Sequence, residues 1–168
     1  MDMSKTYRKR DRRLWIARVL TLVWMVVIFL FSAKPAEAST QDSLYVGRKI
    51  GQLIYQDFEE WSDKRQTDFA RKIEYPVRKG AHMAEYAVLG VLIYLSWGNK
   101  KYGRRQRAVC SWFLTVLYAS TDEFHQLFVP GRSGQIRDVM IDSAGAAIGI
   151  LLISFICFLY DKMQKPAE

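Results

Sequence analysis

Cysteine and histidine are scarce in this chain of 168 residues, with two of each. Cys110 and Cys157 stand far apart among apolar neighbours, so neither a disulfide framework nor a thiolate metal site of ordinary spacing is encoded. We read both as structural thiols. The chain contains no H-E-x-x-H, no G-x-S-x-G and no nucleophile elbow, which excludes the common zinc-protease and serine-hydrolase plans. No internal repeat or low-complexity linker divides it, and its length suits one domain. Acidic residues are outnumbered, 17 against 25 Lys and Arg, leaving a net charge of +8.

What the chain has in quantity is apolar sequence. Hydrophobic residues make up 50% and aromatics 14%, yet the mean hydropathy is only −0.09. That average conceals four apolar stretches, at 14–32 (LWIARVLTLVWMVVIFLFS), 77–97, 108–129 and 137–160. Each approaches the ~20 residues needed to cross a ~30 Å hydrocarbon core. The first and fourth are unambiguous spans. A strict no-charge criterion would reject the second and third, but their charges sit at one end only. The expected fold is therefore all-α: a polytopic membrane protein with four transmembrane helices and an amphipathic outer loop at 33–76.

The basic residues supply an expected topology. Lys5, Arg8, Lys9, Arg10, Arg12 and Arg13 precede the first span, and Lys100, Lys101, Arg104, Arg105 and Arg107 separate the second from the third. Short segments rich in Lys and Arg stay in the cytoplasm. This gives a cytoplasmic amino terminus (1–13), a membrane domain (14–160) and a cytoplasmic tail (161–168), with 33–76 and the turn 130–136 outside. The positive charge is thereby used for topology, and nucleic acid is not an expected partner. A signal peptide ending at Ala36-Glu37-Ala38 competes for the first run. The run exceeds the usual 7–15 residues and Lys34-Pro35 intervenes, so a retained span is expected.

In the outer segment Ser39, Thr40 and Asp42 offer helix caps. Leu44, Ile50, Leu53, Ile54 and Phe58 then recur near helical spacing, and Phe69, Ile73 and Trp61 extend the pattern. Two descriptions stay open: amphipathic helices on the outer face or over the bundle mouth, or a solvated loop with helical fragments.

The informative residues are ionisable groups inside the spans. Arg78, His82 and Glu85 are spaced by four and three and share a helical face. Asp122, His125 and Gln126 share another, with Glu123 turned about 100° away. Asp138 and Asp142 lie one turn apart at the start of the fourth span. All fall at one depth on one side. Such groups are costly against lipid, so they face the bundle or a wet cavity and pair. Pairs of the Arg78–Glu85, His82–Asp122 and Arg132–Asp138 type would lock the helices. Gly145 and Gly149 form a G-x-x-x-G suited to close helix contact.

Three roles for the cluster stay open. His82, Glu85, Asp122, Glu123, His125 and Asp142 are the candidates for acid–base catalysis on a lipid-linked phosphate. His82, His125 and Asp122 are the candidate ligands of a divalent metal, although no cofactor is the first expectation. Arg78, Lys79, Arg132 and Arg137 suit a phosphate or carboxylate, for which arginine offers a bidentate fork. A cup of mixed charge at the outer leaflet fits the head group of a membrane lipid or a lipid-linked cell-wall precursor. An intramembrane assembly partner, with the cluster as glue, is the remaining alternative. Nothing in the sequence specifies an oligomeric state.

Two stretches also resemble a known family. VRKGAHMAEYAVLG (77–90) is similar to the R-K-x-x-H-x-x-E-Y-x-x-L-G signature of VanZ-like membrane proteins. TDEFHQLFVPGRSGQIRDVMIDSAGAAIG (121–149) resembles their D-E-x-H-Q-x-F-x-x-x-R signature and the D-x-x-x-D-x-x-G helix after it. FSAKPAEAS (31–39) resembles their F-S-x-x-P stretch. The resemblance implies a small polytopic protein of the bacterial cell membrane, typical of Gram-positive organisms. It implies a link to low-level resistance to the glycopeptide teicoplanin and no established enzyme activity. Carried over by position, the motif residues are Arg78, Lys79, His82, Glu85, Tyr86, Asp122, Glu123, His125, Gln126, Arg132, Asp138 and Asp142. The resemblance thus marks the same cluster as a ligand-binding site.

Overall fold

The computed structural model describes residues 3–98 and 102–164, with side chains from residue 11 onward. The side chains of Lys5, Arg8, Lys9, Arg10, Lys100 and Lys101, and tail residues 165–168, lie outside the described residues. Five α-helices follow in order: α1 (Met3–Ser32), α2 (Ala36–Ile54), α3 (Asp63–Ser96), α4 (Arg104–Gln126) and α5 (Ile136–Met163). One 3-10 turn, Phe58–Glu60, joins α2 to α3, and there is no strand among the described residues.

Two helices, Asp11–Ser32 and Ile136–Met163, are long and apolar enough to cross a membrane. The other two expected spans fall mostly on α3 and α4, whose charged residues keep them from meeting that criterion. The four main helices alternate in direction. Thr21 bonds Ser96 at 3.1 Å and the Trp24 indole donates to the Glu85 carbonyl at 2.9 Å, so α1 and α3 run antiparallel. Arg104 pairs with Asp161 at 3.7 Å and the Trp112 indole donates to the Ser143 carbonyl at 3.0 Å, so α4 and α5 do too.

The close neighbours α3 and α5 run parallel. Gly145 and Gly149 make this possible, because a Cβ at either would lie 2.2 Å from the Met83 carbonyl or 2.4 Å from that of Ala87. The G-x-x-x-G pattern therefore works as a contact surface, as its spacing predicted.

The bundle is inverted relative to a water-soluble one. Leu22 (64% exposed), Phe113 (63%) and Leu151 (68%) point outward, while Ser111 and Thr115 (0%) and Asp142 (2%) are buried. An apolar belt of this extent marks a surface meant for lipid or a partner.

The segment 33–76 is mostly helix rather than a loop with helical fragments. α2 begins at Ala36, earlier than Ser39, Thr40 or Asp42 would have capped it. Pro35 occupies the cap position with an extended backbone, and the Ala36 amide donates to the Pro130 carbonyl at 3.1 Å. The tertiary contact replaces the side-chain cap. α2 turns Ser43, Gly47 and Gly51 towards the protein. Ala70 of α3 sits against Gly47, and the buried Phe58 ring covers Gly51. Leu53 is 88% exposed. Small residues, not the apolar ones, thus make the α2–α3 contact.

α3 starts well before its expected span. The Ser62 hydroxyl accepts the Arg65 amide at 3.4 Å and Asp63 occupies the first turn, both of which favour a helix start. The helix then continues through Pro76. With 34 residues it is ~51 Å long. α4 ends at Gln126, three residues short of the expected boundary, because the chain turns through Pro130 and Gly131. Gly131 has φ +73°, the left-handed region that glycine enters without strain.

Candidate functional site

At one end of the bundle, α2 and the middle of α3 flank an open, groove-like cavity of about 930 Å³. Its polar end is formed by Lys34, Arg78, His82, Glu85 and Arg132, drawn from the α1–α2 corner, α3 and the α4–α5 turn. Its apolar wall includes Val46 and Ile50 of α2 and Ile73 and Val77 of α3. The expected face of Arg78, His82 and Glu85 is therefore real and borders a space large enough for a ligand.

Most of the cavity's charges have local partners. Arg78 pairs with Glu74 one turn earlier at 3.4 Å, and Lys34 with Asp42 at 2.6 Å. His82 Nδ1 lies 3.7 Å from Glu85 Oε2, too far for a hydrogen bond. Arg132 is the architectural member. It donates to the Lys34 carbonyl at 2.8 Å, the Phe31 carbonyl at 3.3 Å and Gln126 Oε1 at 3.4 Å. One side chain thus ties the α1–α2 corner to the turn after α4. Burial, and then the like charge of Arg78, holds the Arg132 guanidinium below the usual arginine range, with Asp122, Glu123 and Glu85 acting against the shift.

The remaining motif residues lie behind the cavity wall, and several of them join helices. Lys79 Nζ meets Asp138 Oδ2 at 2.5 Å, linking α3 to α5. Asp122 Oδ2 accepts from the Ser32 hydroxyl at 2.8 Å and from Gln126 Nε2 at 3.3 Å. Glu123 accepts from Gln126 Nε2 at 3.2 Å and from the Gln135 backbone amide at 2.9 Å. Gly134 permits the latter, because a Cβ there would lie 2.3 Å from the Glu123 carbonyl. The fully buried Tyr86 sits beside Asp122 without a hydrogen bond of good geometry. Asp142 Oδ1, Asp122 Oδ1 and Glu85 Oε2 are buried without a hydrogen-bond partner among the described residues.

Several expected relationships change. Arg78 pairs with Glu74 rather than Glu85, and Asp138 with Lys79 rather than Arg132. Asp122 takes Ser32 in place of His82. Glu123, expected to turn away, is buried with Asp122 and Gln126. His125, expected beside them, packs on Phe29 of α1 with ring centroids 4.6 Å apart. Arg137 lies over the Tyr75 ring at 5.7 Å and is not part of the cavity wall.

The proposed metal set fails for the same reason. No three His, Cys, Asp or Glu side chains among the described residues converge to hold a metal ion. His82 borders the cavity, His125 faces α1, and Asp122 lies between Ser32 and Gln126.

Ser32, Lys34, Glu74 and Gln135 join the arrangement although sequence reasoning assigned them no role. The F-S-x-x-P stretch carried a signal for Ser32, whereas Lys34 stands at one of its unspecified positions. Ser111 and Thr115 also went unremarked, but they stand at four-residue spacing on the buried side of α4, in line with Ala119.

Residues 18–158 match the model of the VanZ/LLP1 family. The chain belongs to the VanZ/LLP1 family. No curated protein and no solved structure matches it. In this VanZ/LLP1 protein the three recognisable stretches meet at one place. F-S-x-x-P supplies Ser32, the first signature supplies the cavity's Arg78, His82 and Glu85, and the second supplies Asp122, Glu123 and Arg132. Motif residues thus divide into a group lining the cavity and a group joining the helices behind it.

Proposed function

We propose that this VanZ/LLP1 protein is a four-span protein of the bacterial cell envelope that binds an anionic lipid head group or lipid-linked wall precursor. Its binding residues are Arg78, Arg132 and Lys34, with His82 and Glu85 orienting the ligand. Through this binding it lowers susceptibility to teicoplanin. The observation that carries the reading is the convergence of two guanidinium groups from separate elements on one cavity that also has an apolar wall. Arginine forks suit phosphate and carboxylate oxygens.

Four spans are supported by the apolar exterior, which continues over α3 and α4 through Val88, Phe113 and Leu117. Arg12, Arg13, Arg104 and Arg105 stand at the opposite end of the bundle from the cavity, as cytoplasmic flanks would. The cavity then opens at the outer leaflet. Lys79, Tyr86, Asp122, Glu123, Gln126, Asp138 and Asp142 act from behind by holding the helices in place.

The test is teicoplanin susceptibility of a Gram-positive host producing Arg78→Gln or His82→Ala protein at wild-type membrane abundance. Both variants are expected to lose protection, and retained protection would defeat the reading. The Lys79–Asp138 pair favours a second reading, in which the cluster serves assembly alone. That reading predicts lost abundance instead of lost protection at equal abundance.

A further inference from the structure

The apolar wall has a direction. On α2, polar Ser39, Asp42 and Ser43 and then apolar Val46 and Ile50 face the cavity, and on α3, residues 73, 76, 77, 80 and 81 do. Both sets follow helical spacing, so two helix faces oppose each other across the space. The charged groups collect towards one end, where Arg78, His82, Glu85 and Arg132 stand with the Lys34–Asp42 pair. Leu53 and Ile54, at 88% and 63% exposure, carry the Val46–Ile50 row on towards the end of α2. These side chains lie beyond the Gly47–Ala70 contact with α3 and the Gly51–Phe58 contact with the turn, so neither contact needs them. A soluble anion would leave this apolar row wet, which is unfavourable in proportion to its area.

We propose that the α2–α3 groove holds the hydrocarbon chain of a long-chain phosphate amphiphile whose anion lies between Arg78 and Arg132. The proposal rests on the anion-binding reading above and adds the ligand's second half. Charge complementarity at one end and the apolar Val46, Ile50, Ile73 and Val77 farther along fit a lipid better than free phosphate. In this arrangement α2 keeps one chain apart from the bulk bilayer, and the head group registers that chain against Ile50, Ile73 and Val77.

The full chain in phosphatidylcholine nanodiscs provides the test, using a long-chain alkyl monophosphate with a mid-chain diazirine. Photolabels located by peptide mass spectrometry are expected on α2 and the first half of α3, around Val46, Ile50 and Ile73. Excess unlabelled alkyl phosphate should remove them. Arg78→Gln should reduce them at least about tenfold. Val46→Glu places a charge at an already exposed position and should do likewise, whereas Val46→Leu should not. Glycerol phosphate binding to the same nanodiscs, followed by calorimetry, reports the anion site alone.

Labels confined to belt residues such as Leu22, Phe113 and Leu151, with glycerol phosphate still bound through Arg78, would overturn the chain track and leave the anion site standing. Loss of both signals would remove both readings. Groove labelling that persists in Arg78→Gln would also overturn the proposal, since the chain would then lie there without its anion.

Discussion

The Ser32 hydroxyl donates to Asp122 Oδ2 at 2.8 Å, joining the last residue of α1 to the carboxyl-terminal third of α4. Both residues are buried, Ser32 at 1% and Asp122 at 4% exposure. The bond closes the bundle beneath the cavity. It also gives the F-S-x-x-P stretch a physical role.

Ser32→Ala should therefore destabilise the protein by about 1–3 kcal/mol, the cost of leaving a buried acceptor without its donor. Asp122→Asn retains an acceptor for Ser32 and should cost less. Thermal unfolding in detergent checks the order. Equal melting temperatures for wild type and Ser32→Ala would show that the bond contributes nothing.

Lys79 and Asp138 form a little-exposed ion pair between helices, with side chains 17% and 13% accessible. Removing one partner leaves the other charge buried, which costs about 3–5 kcal/mol. Lys79→Met or Asp138→Leu alone should sharply reduce the abundance of folded protein. The double variant should recover most of it. A double variant as unstable as the sum of the singles would mean that the two residues act independently.

Gly145→Ala should separate α3 from α5, because the added methyl would lie 2.2 Å from the Met83 carbonyl. A loss of about 1–3 kcal/mol or more follows from forced overpacking. Gly80→Ala supplies the contrast, with nothing within 4 Å of its added methyl. Alanine's helix propensity should make that variant as stable as wild type, or up to about 1 kcal/mol more so. Parallel unfolding measurements of the two proteins decide the matter.

Arg132→Lys should fail as a replacement. One ammonium group cannot reproduce the fork that reaches the Lys34 and Phe31 carbonyls and Gln126 together. The corner should loosen, and the Ala36 amide, which donates to Pro130, should exchange hydrogen faster. Exchange mass spectrometry over residues 31–40 would show this. Unchanged protection there would mean that the backbone contact alone holds the corner.

Much of the candidate site was legible because helical geometry is regular. Arg78, His82 and Glu85 had to share a face, and all three border the cavity. α4 was harder. Its inward direction runs along Gln126, between Asp122 and Glu123, so His125, the neighbouring residue, falls about 100° from it and meets Phe29. Spacing says which residues share a face but not which face turns inward. Glu74 was missed because the helix was expected to begin after it, whereas α3 passes through Pro76 unbroken.

The sequence by itself determined that the protein is helical, that its apolar stretches dominate, which residues repeat at helical spacing, and which family it belongs to. These follow from local composition and period. Only the tertiary structure decided the partners. Ser32 with Asp122, Lys79 with Asp138 and Arg132 with the Lys34 carbonyl depend on how each helix is rotated about its axis and how closely backbones approach. Those quantities are set by Gly47, Gly134, Gly145 and Gly149 at the points of closest contact, where the absence of a side chain lets a neighbouring backbone approach.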